Sequence, residues 1–350
     1  MSDPAVSPEA PVAAAPVKAT HIGGQALIEG VMMRGKLNWA VAVRTPDGSI
    51  HVEEHDLPGG TKGGWKKWPV FRGVWAMYET LALALKAFNI SAQYADMSGG
   101  GEGMVPVEEA EDARLSKTEI GWTMVFGVAL AVGLFIVLPA LATNWIVGPS
   151  TARPVIWNVV DGALRLVVFF VYIWAVGLMP DIRRVFAYHG AEHKSIHAFE
   201  HGLPLEPALI QRYETLHVRC GTSFLMMVMV IAIVVFSLVP VATILSAWGI
   251  TSGPLVTLAK IAIRILLLPV VAGLAYEVTV KWAGSRPENP FVKVLLWPGM
   301  QMQRLTTREP DDGMIEVAVA ALTAVADREA AAADPAGSLA PEPSAEPALD

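Results

Sequence analysis

The chain has 350 residues, of which 53% are hydrophobic and only 17% charged, and its mean hydropathy is positive. Such values exclude an ordinary soluble enzyme and predict membrane spans. The net charge of −7 comes largely from acidic terminal regions, so it leaves an anionic partner open, although nothing points to nucleic acid; the single cysteine, Cys220, rules out an intramolecular disulfide.

The first residues, 1–20, are rich in Pro and Ala and lack the basic-then-apolar layout of a signal peptide. Together with the Ala/Pro/Glu-rich end, 329–350, they predict disordered tails, because neither can bury enough apolar surface to offset its ordering entropy. Residues 21–97 read as a β/α region. WAVAVR and SIHVEEHDL alternate as strands do, with PDG between them as a turn, which predicts an antiparallel hairpin, and ALIEGVMMRG offers a third strand. GGTKGG breaks the chain. The stretch from Pro69 to Ala95 then predicts a helix with an apolar stripe and with Lys66, Lys67 and Arg72 at its mouth. Residues 98–118 form a polar linker.

Residues 119–283 predict a four-span membrane domain, with apolar stretches over Ile120–Val147, Val155–Met179, Gly221–Ile250 and Leu255–Trp282. Pro139 and Pro240 fall in the first and third, where a membrane helix tolerates them. Orientation follows from the basic residues of the loops. The first connection offers only Arg153 and the third none, whereas the second carries Arg183, Arg184, Lys194, Arg212 and Arg219. The flanks carry Lys62, Lys281, Arg286 and Lys293. Both termini are therefore expected in the cytoplasm. Residues 284–328 read as a cytoplasmic region: an interfacial helix, an extended piece, and a helix capped by Asp311 or Asp312. The expected fold class is mainly α, a polytopic membrane protein with about four transmembrane helices, a small N-terminal β-hairpin region and cytoplasmic helices. Its surroundings are the lipid bilayer, and a homo-oligomer is compatible with the pattern.

The loop over 181–220 holds the densest chemistry. YHGAEHKSIHAFEHG contains four of the chain's eight histidines, His189, His193, His197 and His201, each four residues after the last. On a helix these share one face, and Gly202 and Pro204 predict fraying at its end. HGAEH is H-x-x-E-H, the inverted-zincin pattern: two imidazoles one turn apart suit a divalent metal such as zinc, and Glu192 beside them can act as base toward water. Further donors come from LHVRCGTSF, which puts His217 and Cys220 just before span three, and from Glu277, two turns before the end of span four. A carboxylate at that depth needs a positive charge, a metal or water. A plainer reading makes His189 and His201 interfacial residues on a solvated face, Cys220 a small buried residue, and Glu192 the partner of Arg219 or Lys194. His51 and His55 read as exposed strand residues. In the spans, Asp161 is expected to pair with Arg264 or Lys260, and Arg165 lies close by.

GGQALIEGVMMRG, YHGAEHKSIHAFE, LHVRCGTSF, LAYEV and RLTTREPDDGMIEVAVAAL resemble, in this order, segments of the YqhQ-like bacterial membrane proteins, a family without assigned function described as metal-dependent. The likeness runs from about Gly23 to Leu322. It places the family's polar pattern on Glu29, Arg34, His189, Glu192, His193, His197, Glu200, His217, Arg219, Cys220, Glu277 and Glu309, and leaves His201 outside it. It implies a multi-pass protein of the bacterial inner membrane.

Two readings follow. In one, the chain is a metal-dependent, membrane-embedded enzyme, a hydrolase with its site at the cytoplasmic face. His189, His193, His217 and Glu277 would bind the metal and Glu192 would be catalytic. His197, Glu200, Cys220, Arg219, Lys194, Glu29 and Arg34 would surround them. In the other, it is a non-catalytic scaffold or ion-handling protein whose histidines bind metal structurally or sense protons.

Overall fold

The computed structural model describes residues 20–57, 64, 68–95, 117–148, 153–217, 220–239, 241–249, 253–283, 285–286 and 289–333. Nearly all of the two tails, most of the linker, Lys62, Lys66, Lys67, Arg219, Pro240 and the side chain of Lys260 lie outside them.

The N-terminal region is a four-stranded antiparallel meander, β1 (Gly23–Leu27), β2 (Gly30–Arg34), β3 (Asn38–Arg44) and β4 (Ile50–Asp56), in the order β1-β2-β3-β4. The segment expected to be one third strand is thus the turn between two. Leu27 pairs with Gly30, and the chain reverses over Ile28 and Glu29, with Glu29 at φ 49°. That left-handed backbone is uncommon for a residue with a side chain. It is held by Arg184, whose guanidinium donates to both carboxylate oxygens at 2.5 Å, and by the Tyr188 hydroxyl at 3.1 Å.

Helix α1 (Phe71–Tyr94) follows. Among the described residues, four helices are long and apolar enough to cross a membrane. The first is α2 (Lys117–Val132), continued through a wide turn (Gly133–Val137) into α3 (Leu138–Val147). The wide turn precedes Pro139, whose missing N–H interrupts the helical ladder. The second is α4 (Pro154–Val176). After it come α5 (Pro180–Glu200), which carries the histidines and ends at His201 as the sequence predicts, and the short α6 (Pro207–Ile210). The third span is shorter than expected: α7 (Gly221–Leu238) stops, and a separate α8 (Val241–Ala247) follows. Val239 is extended at φ −102°, ψ 94°, the conformation that a following proline enforces. The fourth is α9 (Gly253–Tyr276) with a wide helical continuation to Ala283. Then come α10 (Pro290–Thr306) and α11 (Asp312–Ala333), with Asp311 accepting from the Met314 N–H at 2.8 Å as the cap.

The sheet is covered on both faces. Trp39, Val41 and Val43 of β3 meet Leu83 and Ala87 of α1. The alternate residues, Ala40 and Ala42, face Tyr188 and Ile196 of α5 and Ile315, Ala318 and Leu322 of α11. Their small side chains let the two helices sit close. α1 in turn crosses α9 through a pair of glycines. A Cβ on Gly73 would lie 2.6 Å from the Cβ of Tyr276, and one on Gly273 would lie 2.5 Å from the Val70 carbonyl oxygen. Within the spans, Asp161 accepts from Arg165 at 3.0 Å and from Arg264 at 3.2 Å, so the expected pairing with Arg264 is present.

Candidate metal centre

The four-residue spacing of α5 sets His189, His193 and His197 on one face, and the neighbouring backbone fixes how each ring is turned. Nδ1 of His189 lies 2.8 Å from the carbonyl oxygen of Thr306, and Nδ1 of His193 lies 2.5 Å from that of Thr215. A carbonyl only accepts, so each Nδ1 carries the proton and each Nε2 keeps its lone pair. The His189 Nε2 is 3.2 Å from Cys220 Sγ, and the His193 Nε2 is buried with no hydrogen-bond partner among the described residues. Ligand atoms of His189, His193 and Cys220 all lie within 4.8 Å of one another. Two imidazoles whose far nitrogens are held by carbonyls, with their Nε2 atoms beside a thiol, could hold a divalent metal ion.

Glu192 sits beside this group, 5% exposed. Its Oε1 accepts from the Gly24 N–H at 3.0 Å, and its Oε2 has no hydrogen-bond partner among the described residues. Burial pushes its carboxyl up to about 7 against the smaller opposing pull of His189. Burial likewise holds His193 well below the usual imidazole range, brings His217 to about 4, and raises the Cys220 thiol.

The other expected ligands are placed differently. His217 is buried with its Nε2 3.6 Å from Glu200, and its lowered value makes this a contact of a neutral ring with a carboxylate, not an ion pair. It lies next to the cluster, its ring 5.7 Å from that of His193, without joining the group of converging donors. Glu277 is turned elsewhere: both its oxygens face the Arg72 guanidinium, with Nε at 2.7 Å, and the Val70 N–H donates to it at 3.2 Å. The carboxylate at membrane depth thus obtains its positive charge from α1. Cys220, expected in the surroundings, is the third converging donor.

Of the surrounding residues, Glu200 accepts from the Thr20 N–H and hydroxyl at 3.0 and 3.2 Å. His197 Nε2 donates to the Leu216 carbonyl at 2.8 Å. Lys194 binds Glu309 at 2.6 Å and the Gln211 carbonyl at 2.9 Å, so it is not the partner of Glu192. Glu29 belongs to its turn with Arg184, Arg34 lies 3.7 Å from Glu79, and Arg219 is outside the described residues.

Sequence reasoning missed Gln303. Fully buried on α10, its amide accepts from the His217 N–H at 2.8 Å and donates to the His217 carbonyl at 2.9 Å and to Ser223 at 2.8 Å. It therefore pins the chain on either side of Cys220. Its neighbour Thr306 supplies the carbonyl that turns His189. A cavity of about 630 Å³ opens beside the centre, lined by Glu192, His193, His217 and Cys220 and, across from them, by Trp75 and Glu79.

Fold and site together define a four-span membrane protein whose sheet-and-helix body carries an imidazole–thiol cluster. The chain belongs to the DUF1385 family, described as proteins of unknown function, which matches residues 68–328. It is similar to the uncharacterized protein YqhQ of Bacillus subtilis (strain 168), at 32% identity over 302 residues, covering 85% of this chain and 89% of that one. No solved structure matches.

Proposed function

We propose that the chain is a metal-dependent hydrolase of the bacterial inner membrane, with its site at the cytoplasmic face and with His189, His193 and Cys220 as the ligands of a zinc ion. The observation that carries this reading is the pair of Nε2 lone pairs, freed by the Thr306 and Thr215 carbonyls, beside the Cys220 thiol. The packing of α5 and α11 on the N-terminal sheet supports a common side for these regions, and the loop arginines favour the cytoplasm. A zinc ion held by these residues would supply Lewis-acid polarisation and would favour the thiolate of Cys220.

The protein's own groups would do the rest. Gly24 holds one oxygen of Glu192, which lines the cavity, and the other oxygen has no hydrogen-bond partner among the described residues. That oxygen takes a proton from the attacking water and returns it to the leaving group as the scissile bond breaks. A carboxyl raised to about 7 suits both halves of this exchange. Three converging protein donors favour an open, catalytic position over a closed structural shell. The depressed His193 and His217 count against a proton-sensing role near neutral pH.

Complementation of a deletion strain tests this. Glu192→Gln is expected to lose function and keep its metal, and His193→Ala to lose both. Full complementation by Glu192→Gln would overturn the catalytic assignment.

A further inference from the structure

Among the described residues, β1 lies at one edge of the sheet and pairs with no strand but β2. Because Leu27 and Gly30 close the turn, Leu27, Gln25 and Gly23 turn their polar backbone groups toward β2, and the alternate residues turn theirs outward. The bond from the Gly24 N–H to Glu192 fits that parity; the same parity, continued to Ile22 just before β1, turns the groups of that residue outward, and Ile22, 4% exposed, lines the cavity. α1 covers one face of the sheet and α5 the other. The cavity nevertheless takes its walls from both, with Trp75 and Glu79 of α1 and Glu192 and His193 of α5. Helices on opposite faces share a cavity by reaching around an edge, and residues 21–25 line it. Gly23 is exposed, and a Cβ built there meets nothing within 4 Å, so another chain can approach this backbone closely.

We propose that the β1 edge binds an extended polypeptide as an added strand and delivers its scissile bond to Glu192 and the His189–His193–Cys220 cluster. The inference rests on the hydrolase reading and adds the substrate class. An extended chain presents an N–H and a C=O to one side at every second residue, about 6.6 Å apart, which matches the outward row on β1; an acyl chain has no such row. Glu192 occupies the Gly24 N–H, so a strand pairing at Ile22 runs its next peptide group against that carboxylate. In hydrolysis the water oxygen joins the carbonyl carbon and the C–N bond breaks. One water proton passes through Glu192 to the leaving nitrogen, giving a carboxylic acid and an amine; the second proton then moves from acid to amine, leaving a carboxylate and an ammonium with no other reactant.

The test uses the full chain in lipid nanodiscs loaded with zinc, and three probes: a tetrapeptide hydroxamate, the same peptide N-methylated at alternate amides, and an alkyl hydroxamate of equal length. The peptide is expected to bind at least about tenfold tighter than either control, the worth of one or two hydrogen bonds. Gly23→Leu is expected to weaken the peptide by a similar factor while leaving zinc content and acetohydroxamate affinity unchanged. An alkyl probe that binds as tightly, or N-methylation without effect, overturns the strand-addition inference and leaves the hydrolase reading standing. A chain that holds no zinc and binds none of the probes overturns the hydrolase reading, and this inference falls with it.

Discussion

Replacing Glu192 by Gln removes a carboxyl that is 5% exposed, bonded at one oxygen and without a hydrogen-bond partner among the described residues at the other. In the metal-free protein the effect on stability has a definite pH profile. The group's value rises from 4.5 to about 7 on folding, chiefly through burial. Below pH 4.5 it is protonated in both states and contributes nothing. Between pH 4.5 and about 7 the unfolded chain ionises while the folded one does not, so wild-type stability falls as pH rises. Above that range the full cost is present, and at about 1.4 kcal/mol per pH unit it comes to about 3 kcal/mol. The Gln variant carries no such slope, and any pH-independent cost of the swap cancels between two pH values. Going from pH 5 to pH 8.5, the stability of Glu192→Gln relative to wild type is therefore expected to rise by roughly 2–3 kcal/mol. Cys220, the chain's only cysteine, supplies the assay. Its labelling rate in denaturant, after metal stripping and correction for intrinsic thiolate reactivity, reports opening of the extramembrane body. A flat difference, or one of opposite sign, would refute a buried and half-unpaired Glu192.

Two further predictions follow from the membrane end of the site. Arg72→Ala strands the Glu277 carboxylate; because the pair is partly exposed, at 33% and 22%, a small loss of thermal stability is expected, and adding Glu277→Gln recovers most of it. Thermal unfolding in detergent measures this, and loss of zinc from Glu277→Gln alone would return Glu277 to the ligand set. In a Cys220→Ser background, cysteines placed at Arg153 and Gly253 are expected to react with an impermeant reagent only from outside the cell; reaction only from the cytoplasmic side would invert the orientation.

The spans and the histidine helix were legible because hydropathy and four-residue spacing are local signals. The ligand set was legible only in part. Membrane depth put Glu277 and Cys220 at one level but said nothing of lateral position, and Arg72 reached Glu277 first. His217 was expected among the ligands and Cys220 only in the surroundings, yet α7 begins only at Gly221, and His217 faces Glu200 whereas Cys220 faces His189. The carbonyls of Thr215 and Thr306 carry no sequence signature, so the feature that selects the tautomers could not be read. The Ile28–Glu29 turn was hidden because its left-handed residue is a glutamate, stabilised by Arg184 from a distant helix.

The measurement that bears most directly on the metal centre is the zinc content of the purified full chain, wild type beside His193→Ala, Cys220→Ser and Glu192→Gln, each checked for intact fold. Wild type and Glu192→Gln are expected to hold about one zinc per chain, and the two ligand variants far less, since each loses one of three donors. Equal metal content in all four proteins, or none in wild type after growth with zinc, would contradict it.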